Sequence, residues 1–146
     1  MLPDGRHFKA IDFACHDGTP YPETWEDRWI LLRDLCDAIR DLWGGPLIVV
    51  SGYRSPAYNE ALLREDQQRG VHGVASGSQH IVGNAADLRT SRRSFDVPHL
   101  ERVILTAHED KKLPTLGGIG VYLTSGWVHV DVYQAPDGHL RKWVGV

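Results

Sequence analysis

Only two cysteines, Cys15 and Cys36, occur in this 146-residue chain. They are too few for a disulfide framework, and alone they cannot build a cysteine zinc site. Cys36 falls on the inward face of a predicted helix, where a buried thiol is expected. Cys15 lies in a polar loop, and the sequence lends no support to a bridge between the two. Long apolar runs are also missing. No stretch approaches the roughly 20 residues that span a bilayer, and the opening MLPDGRHFKAIDF lacks the charged start and apolar run of a secretory signal. A soluble chain without a membrane span is expected. Positive charge is scarce too: 16 Lys and Arg stand against 19 Asp and Glu, a net charge of -3. A nucleic-acid binder normally carries a basic stripe, so that class is set aside. No internal repeat, linker-like stretch or low-complexity tract interrupts the chain.

What is present is an ordinary globular composition, 42% hydrophobic and 24% charged. A single domain over residues 1–146 is long enough to bury a core without staples. The eight histidines are a modest excess, and histidine is the commonest metal ligand near neutral pH.

The spacing of Trp25, Trp29, Leu32, Cys36, Ile39 and Trp43 predicts a helix from Trp25 to Trp43, its tryptophans packing the core. Thr24 is the expected cap, with Asp27 as the carboxylate of a capping box, and Gly44, Gly45 and Pro46 stop the helix. Leu47 to Val50 reads as a buried strand, followed by a turn over Ser51 to Pro56 and a second helix from Pro56 to Arg69 that Gly70 ends. Val71 to Gln79 is Gly/Ser-rich loop. Ala85 to Leu88 is a strand, and Val97 to His108 an amphipathic helix with Asp96 as cap. Gly118 to Leu123 and Trp127 to Tyr133 are neighbouring strands joined at Thr124 to Gly126; a turn at Pro136 to Gly138 precedes a short strand near Trp143. Helices first and strands mostly after the middle make an α+β pattern.

Three segments carry chemistry. In SQHIVGNAAD, His80 and Asp87 are separated by six residues and do not share a helix turn. They converge if the chain reverses between them, as Gly83 permits. In WVHVDV, strand alternation puts Trp127, His129 and Asp131 on one face and three valines on the other. In SGYR, Arg54 follows directly on a strand, where a fixed guanidinium suits a substrate carboxylate or a developing oxyanion. Two histidines and a carboxylate are the protein ligands of a hydrolytic zinc, with a fourth position left for water, and imidazole favours zinc over magnesium or calcium.

SGYRS at Ser51 to Ser55, SxHxxGxAxD at Ser78 to Asp87 and WVHVD at Trp127 to Asp131 resemble the zinc-dependent D-Ala-D-Ala carboxypeptidase family (peptidase family M15), which shares its fold with the hedgehog signalling domain. DFACHDG at Asp12 to Gly18 resembles the opening of its smaller phage and bacterial members. The resemblance implies an antiparallel sheet flanked by helices and one zinc ion on His80, Asp87 and His129. It also implies Arg54 as the orienting or oxyanion-stabilising arginine, and a peptidoglycan peptide substrate. Members cut D-Ala-D-Ala termini, L-Ala-D-Glu links or cross-bridges. The chain departs from the family at Gly126, three residues before the last histidine ligand, where well-studied members carry a Glu or Asp as general base. Asp131 is the nearest substitute; its alternative role is to orient an imidazole.

The implied activity is a zinc metallopeptidase hydrolysing peptidoglycan stem-peptide bonds, acting as a monomer. With no visible leader, it would reach the cell wall by lysis, in a phage particle or after loss of a leader. The rivals are a binding module that keeps the metal without catalysis, which Gly126 favours, and a structural domain of a phage particle. His16, His72, His99, His108 and His139 are set aside as ligands. Tyr53 and Tyr122 are assigned to core or groove rim, and the charged runs at Arg64 to Arg69 and Glu109 to Lys112 to solvent. Gly117, Gly118 and Gly120 do not form a phosphate loop, since no helix start with the required lysine follows.

Overall fold

Apolar stripes on two helices and the valine face of a strand meet in a shared core. The computed structural model describes residues 1–70 and 77–146. Helix α1 (Glu26–Trp43) buries Trp29, Leu32, Leu35, Cys36 and Ile39 along one side and ends at Gly44, in the left-handed region with φ 78°. Its start differs from expectation. Trp25 donates its N–H to the Pro22 carbonyl at 3.1 Å, so Glu23–Trp25 closes a 3-10 turn and Trp25, with no side-chain cap bond, takes the cap position. Thr24 is drawn into that turn, and the expected capping box does not form.

Strand β1 (Ile48–Ser51) leads to helix α2 (Pro56–Arg69), where Ser55 accepts from the Tyr58 N–H and proline occupies the first turn. Residues 71–76, including His72 and most of the expected Val71 to Gln79 loop, lie outside the described residues. Strand β2 (Ala85–Arg89) precedes helix α3 (Val97–Glu109). Asp96 stands at the α3 cap position but makes no cap bond; its carboxylate accepts from the Thr90 hydroxyl at 2.7 Å instead. Strands β3 (Gly118–Tyr122), β4 (Trp127–Asp131) and β5 (Arg141–Val144) complete the chain.

The five strands form one sheet in the order β1-β2-β4-β3-β5. Three pairings are antiparallel, but β3 and β5 run parallel. The sheet is therefore mixed, not antiparallel throughout. The connection from β4 to β5 carries the chain back to the free edge of β3 instead of closing a hairpin, so β5 enters in the β3 direction. The α+β class stands. As an edge strand, β1 is half-exposed, with Ile48 43% exposed, where a buried strand was expected.

Alternation divides the sheet. Ala86, Leu88, Ile119, Val121, Val128 and Val130 are buried on the face that α3 packs against, in one core with Leu100 and Ile104 and with the α1 stripe. Each such aliphatic side chain contributes roughly 1.5–3 kcal/mol by leaving water. The opposite face carries Asp87, His129 and Asp131 and opens into a cleft, with Leu62 and Asp66 of α2 among its walls. Both cysteines are buried and free. Among the described residues, no helix is long and apolar enough to cross a membrane.

Candidate metal centre

A reversal of the chain brings His80 to Asp87. Gly83 turns with φ 75°, and its carbonyl accepts from the Tyr21 hydroxyl at 2.7 Å. Beyond it, the Asn84 N–H donates to the Gln79 carbonyl at 3.0 Å, and the Asn84 side chain donates to that of Gln79 at 3.0 Å. Strand β2 then places Asp87 directly opposite His129 of β4. Ligand atoms of His80, Asp87 and His129 all lie within 4.8 Å of one another, and all three residues are buried. His80 Nε2 is 3.2 Å and His129 Nδ1 3.1 Å from Asp87 Oδ1.

Each imidazole has its outer nitrogen anchored. His80 Nδ1–H donates to the Gly52 carbonyl at 2.7 Å, and His129 Nε2–H donates to Asp131 Oδ2 at 2.8 Å. Such partners hold the tautomer and ring orientation of metal-ligating histidines. Burial disfavours a charge on His80 and outweighs the Asp87 carboxylate beside it, so this imidazole is lowered from its ordinary range. Burial also works to raise the Asp87 carboxyl, but the neighbouring His80 and His129 prevail and hold it below the usual carboxylate range. For His129, burial opposes the charge, yet the bonds to Asp131 and Asp87 raise it above the ordinary value.

The donor chemistry fits a metal cation. With its proton on Nδ1, neutral His80 turns a lone pair on Nε2 toward a carboxylate oxygen 3.2 Å away. Two acceptors then face each other in a buried place, an arrangement that costs free energy unless a cation lies between them. Two nitrogens and one carboxylate oxygen suit zinc far better than a hard, all-oxygen cation.

Arg54 and Asp131 occupy different places. The Arg54 Nε donates to the Ser51 hydroxyl at 3.1 Å, and its Nη2 lies 3.4 Å from Asp87 Oδ2. A brace from the first segment holds this loop: the Tyr53 N–H donates to the Phe13 carbonyl at 2.9 Å, and the Ser55 hydroxyl donates to Asp17 at 2.6 Å. Cys15, hard to place from its sequence context, accepts from the Ser55 N–H at 3.4 Å. Asp131 is fully buried. Its Oδ2 accepts from His129, while Oδ1 accepts from the Arg141 guanidinium and from the Tyr133 N–H at 3.1 Å.

Gly126 sits in the β3–β4 turn with φ 87°, and a Cβ there would lie 3.0 Å from the Arg93 Cβ. A side chain at position 126 would therefore stand in a strained conformation and crowd Arg93, and glycine itself offers no group to act as a general base. Tyr122 joins the cleft wall, and Tyr53 is buried. Of the histidines set aside, His99 packs edge-on to Trp43, His16 pairs with the Tyr58 hydroxyl, and His139 pairs with Asp137 at the surface.

Sequence reasoning missed Arg141 and Trp143. Trp143 donates to the Tyr122 hydroxyl at 3.0 Å, and its ring centroid is 4.9 Å from that of His129. The only available signal was alternation in the last short strand, which does not say where that strand docks. The cleft above these residues measures about 560 Å³, in the size range of small-molecule and peptide sites.

Comparison with known proteins assigns the chain to a family. Residues 31–143 match a peptidase M15 family described as peptidoglycan L,D-endopeptidase MepK. A probable peptidoglycan L,D-endopeptidase MepK of Haemophilus influenzae is 39% identical over 98 residues, 67% of this chain and 42% of that protein. The match thus spans less than half the length of this relative. No solved structure matches.

Proposed function

This chain belongs to the peptidase M15 family described as peptidoglycan L,D-endopeptidase MepK, and from that premise we propose that it is a zinc-dependent endopeptidase of peptidoglycan stem peptides. The observation that carries the reading is the buried convergence of His80, Asp87 and His129, each imidazole with its outer nitrogen anchored. The related protein's name favours an internal bond between an L- and a D-residue over removal of a terminal D-Ala. The reading includes a hedgehog/DD-peptidase-like fold, one domain over residues 1–146 and action as a monomer.

His80, Asp87 and His129 would hold the ion. Zinc so held supplies Lewis acidity toward a scissile carbonyl and toward the attacking water. Arg54, fixed by Ser51 beside Asp87, aims positive charge at the place where a substrate carboxylate or oxyanion sits. Asp131 orients His129 and does not serve as base, because both of its oxygens already accept hydrogen bonds within the fold. Tyr122, Trp127 and Leu62 line the cleft that would receive the peptide.

The test is to load purified protein with zinc and incubate it with muropeptides of defined linkage, reading products by mass spectrometry. Cleavage of an L,D bond that chelation abolishes and zinc restores is the expected result. Release of terminal D-Ala alone would move the reading to a carboxypeptidase. Stoichiometric zinc with no cleavage of any linkage would establish the second reading, a metal-keeping binding module, which the glycine at position 126 favours.

A further inference from the structure

We propose that Arg141, on the parallel edge strand, is a positioning residue for the metal centre: it crosses over Gly118 to clamp Asp131, and through Asp131 it holds His129 toward the ion. This inference rests on the metal reading above and extends it to a part of the chain outside the three motifs.

The sheet register carries the case. Residues paired across adjacent strands share a face, and two rows run across the sheet on the cleft side. One row holds Asp87, His129, Gly120 and Trp143; the next holds Ala85, Asp131, Gly118 and Arg141. Strands β4 and β5 are two ladder steps apart, about 9–10 Å, too far for side chains to meet across an ordinary residue standing between them. In both rows the intervening residue is glycine. A Cβ on Gly118 would lie 2.6 Å from Arg141 Nη2 and 2.6 Å from Asp131 Oδ2. A Cβ on Gly120 would overlap the Trp143 indole. The glycines are therefore slots through which β5 reaches β4.

Arg141 Nη2 ends on Asp131 Oδ1, leaving Oδ2 for His129 Nε2. A carboxylate held at both oxygens cannot swing away from the imidazole. Trp143 walls the other side of the same ring, 4.9 Å centroid to centroid, and is itself tied to the Tyr122 hydroxyl. The ring is thereby left one orientation, with Nδ1 toward Asp87 and His80.

The experiment is zinc affinity of the full chain, measured by competition with a chromophoric chelator, for wild type, Arg141→Met, Asp131→Asn and the double variant, with circular dichroism reporting the fold. Loss of a group that supports a metal ligand typically weakens metal binding about 10- to 100-fold, and that is expected for Arg141→Met. The double variant is expected to bind no more weakly than Asp131→Asn alone, because Arg141 acts through Asp131. Arg141→Lys is expected to recover part of the loss, keeping the charge without the planar fork.

Wild-type affinity in folded Arg141→Met, or losses that multiply in the double variant, would overturn the proposal. If Arg141→Met does not fold, Gly118→Ala carries the test: it retains Arg141 and Asp131 but fills the slot between them. A comparable loss of zinc affinity supports the clamp, and unchanged affinity refutes it. Wild-type protein that binds no zinc sinks the metal reading itself, a result distinct from variants that bind as wild type does.

Discussion

Replacing Tyr21 with phenylalanine isolates a single hydrogen bond that supports the chain reversal between His80 and Asp87. The Tyr21 ring is 3% exposed and packs against Trp25, Trp29 and Tyr53, and phenylalanine keeps that packing. Burial pushes the phenol above its usual range, so it stays protonated and donates at 2.7 Å to the Gly83 carbonyl. Removing the hydroxyl forfeits that bond, about 0.5–1.5 kcal/mol net, and leaves a buried acceptor short of a partner, which costs further. A loss of about 1–2 kcal/mol is expected. With a urea dependence of about 2 kcal/mol per M, the unfolding midpoint of the metal-free protein falls by about 0.5–1 M. Zinc affinity changes by less than about threefold in the same variant, because the Asn84–Gln79 pair and the Val132 N–H on the Asn84 carbonyl still hold the return strand. Both quantities come from one set of urea melts with and without zinc, since ligand binding adds stability in proportion to its affinity. A midpoint unchanged within about 0.1 M would refute the assigned role of the phenol in this turn.

Three further outcomes are expected. Ile104→Ala, at a fully buried α3 position facing the sheet, costs about 2–5 kcal/mol, read as a lowered midpoint with native far-UV dichroism. Gly126→Ala forces a side chain into the left-handed region against Arg93 and destabilises by about 1–2 kcal/mol, while zinc content stays stoichiometric because position 126 holds no ligand. For pH, the raised His129 stabilises the metal-free fold fully below its ordinary value of 6.5. That contribution is lost as pH rises through the folded value. Zinc must displace the same proton, so its affinity changes in the opposite sense, rising with pH. Melts of chelator-treated and zinc-loaded protein between pH 5 and 9 therefore diverge as pH rises, and parallel curves would contradict the assignment.

Local physics made much of the architecture readable. Helix α2 runs from Pro56 to Arg69 as expected, because its signals are adjacent in sequence: a serine cap, a proline in the first turn and a glycine past the end. The α1 stripe and the valine face of β4 follow from periods of 3.6 and 2. The same alternation put His129 and Asp131 on one face, and a glycine between His80 and Asp87 permitted the reversal the fold contains. Expectation failed where a local signal met a competitor. Pro22 drew Thr24 into a 3-10 turn, and Thr90 took the Asp96 carboxylate that was expected to cap α3.

The sequence by itself determined most of which segments are helix or strand and singled out the few residues of the proposed metal site, since both are written in short-range spacing. Tertiary structure alone decided how the strands are ordered. Period-two alternation is the same for a parallel and an antiparallel neighbour, so nothing local places β5 beside β3 or gives its direction. That docking turns Gly118 and Gly120 from two flexible residues into openings, and brings Arg141 to Asp131 and Trp143 to His129. The partner of an imidazole two strands away depends on register summed across the whole sheet, and that sum exists only once the chain has folded.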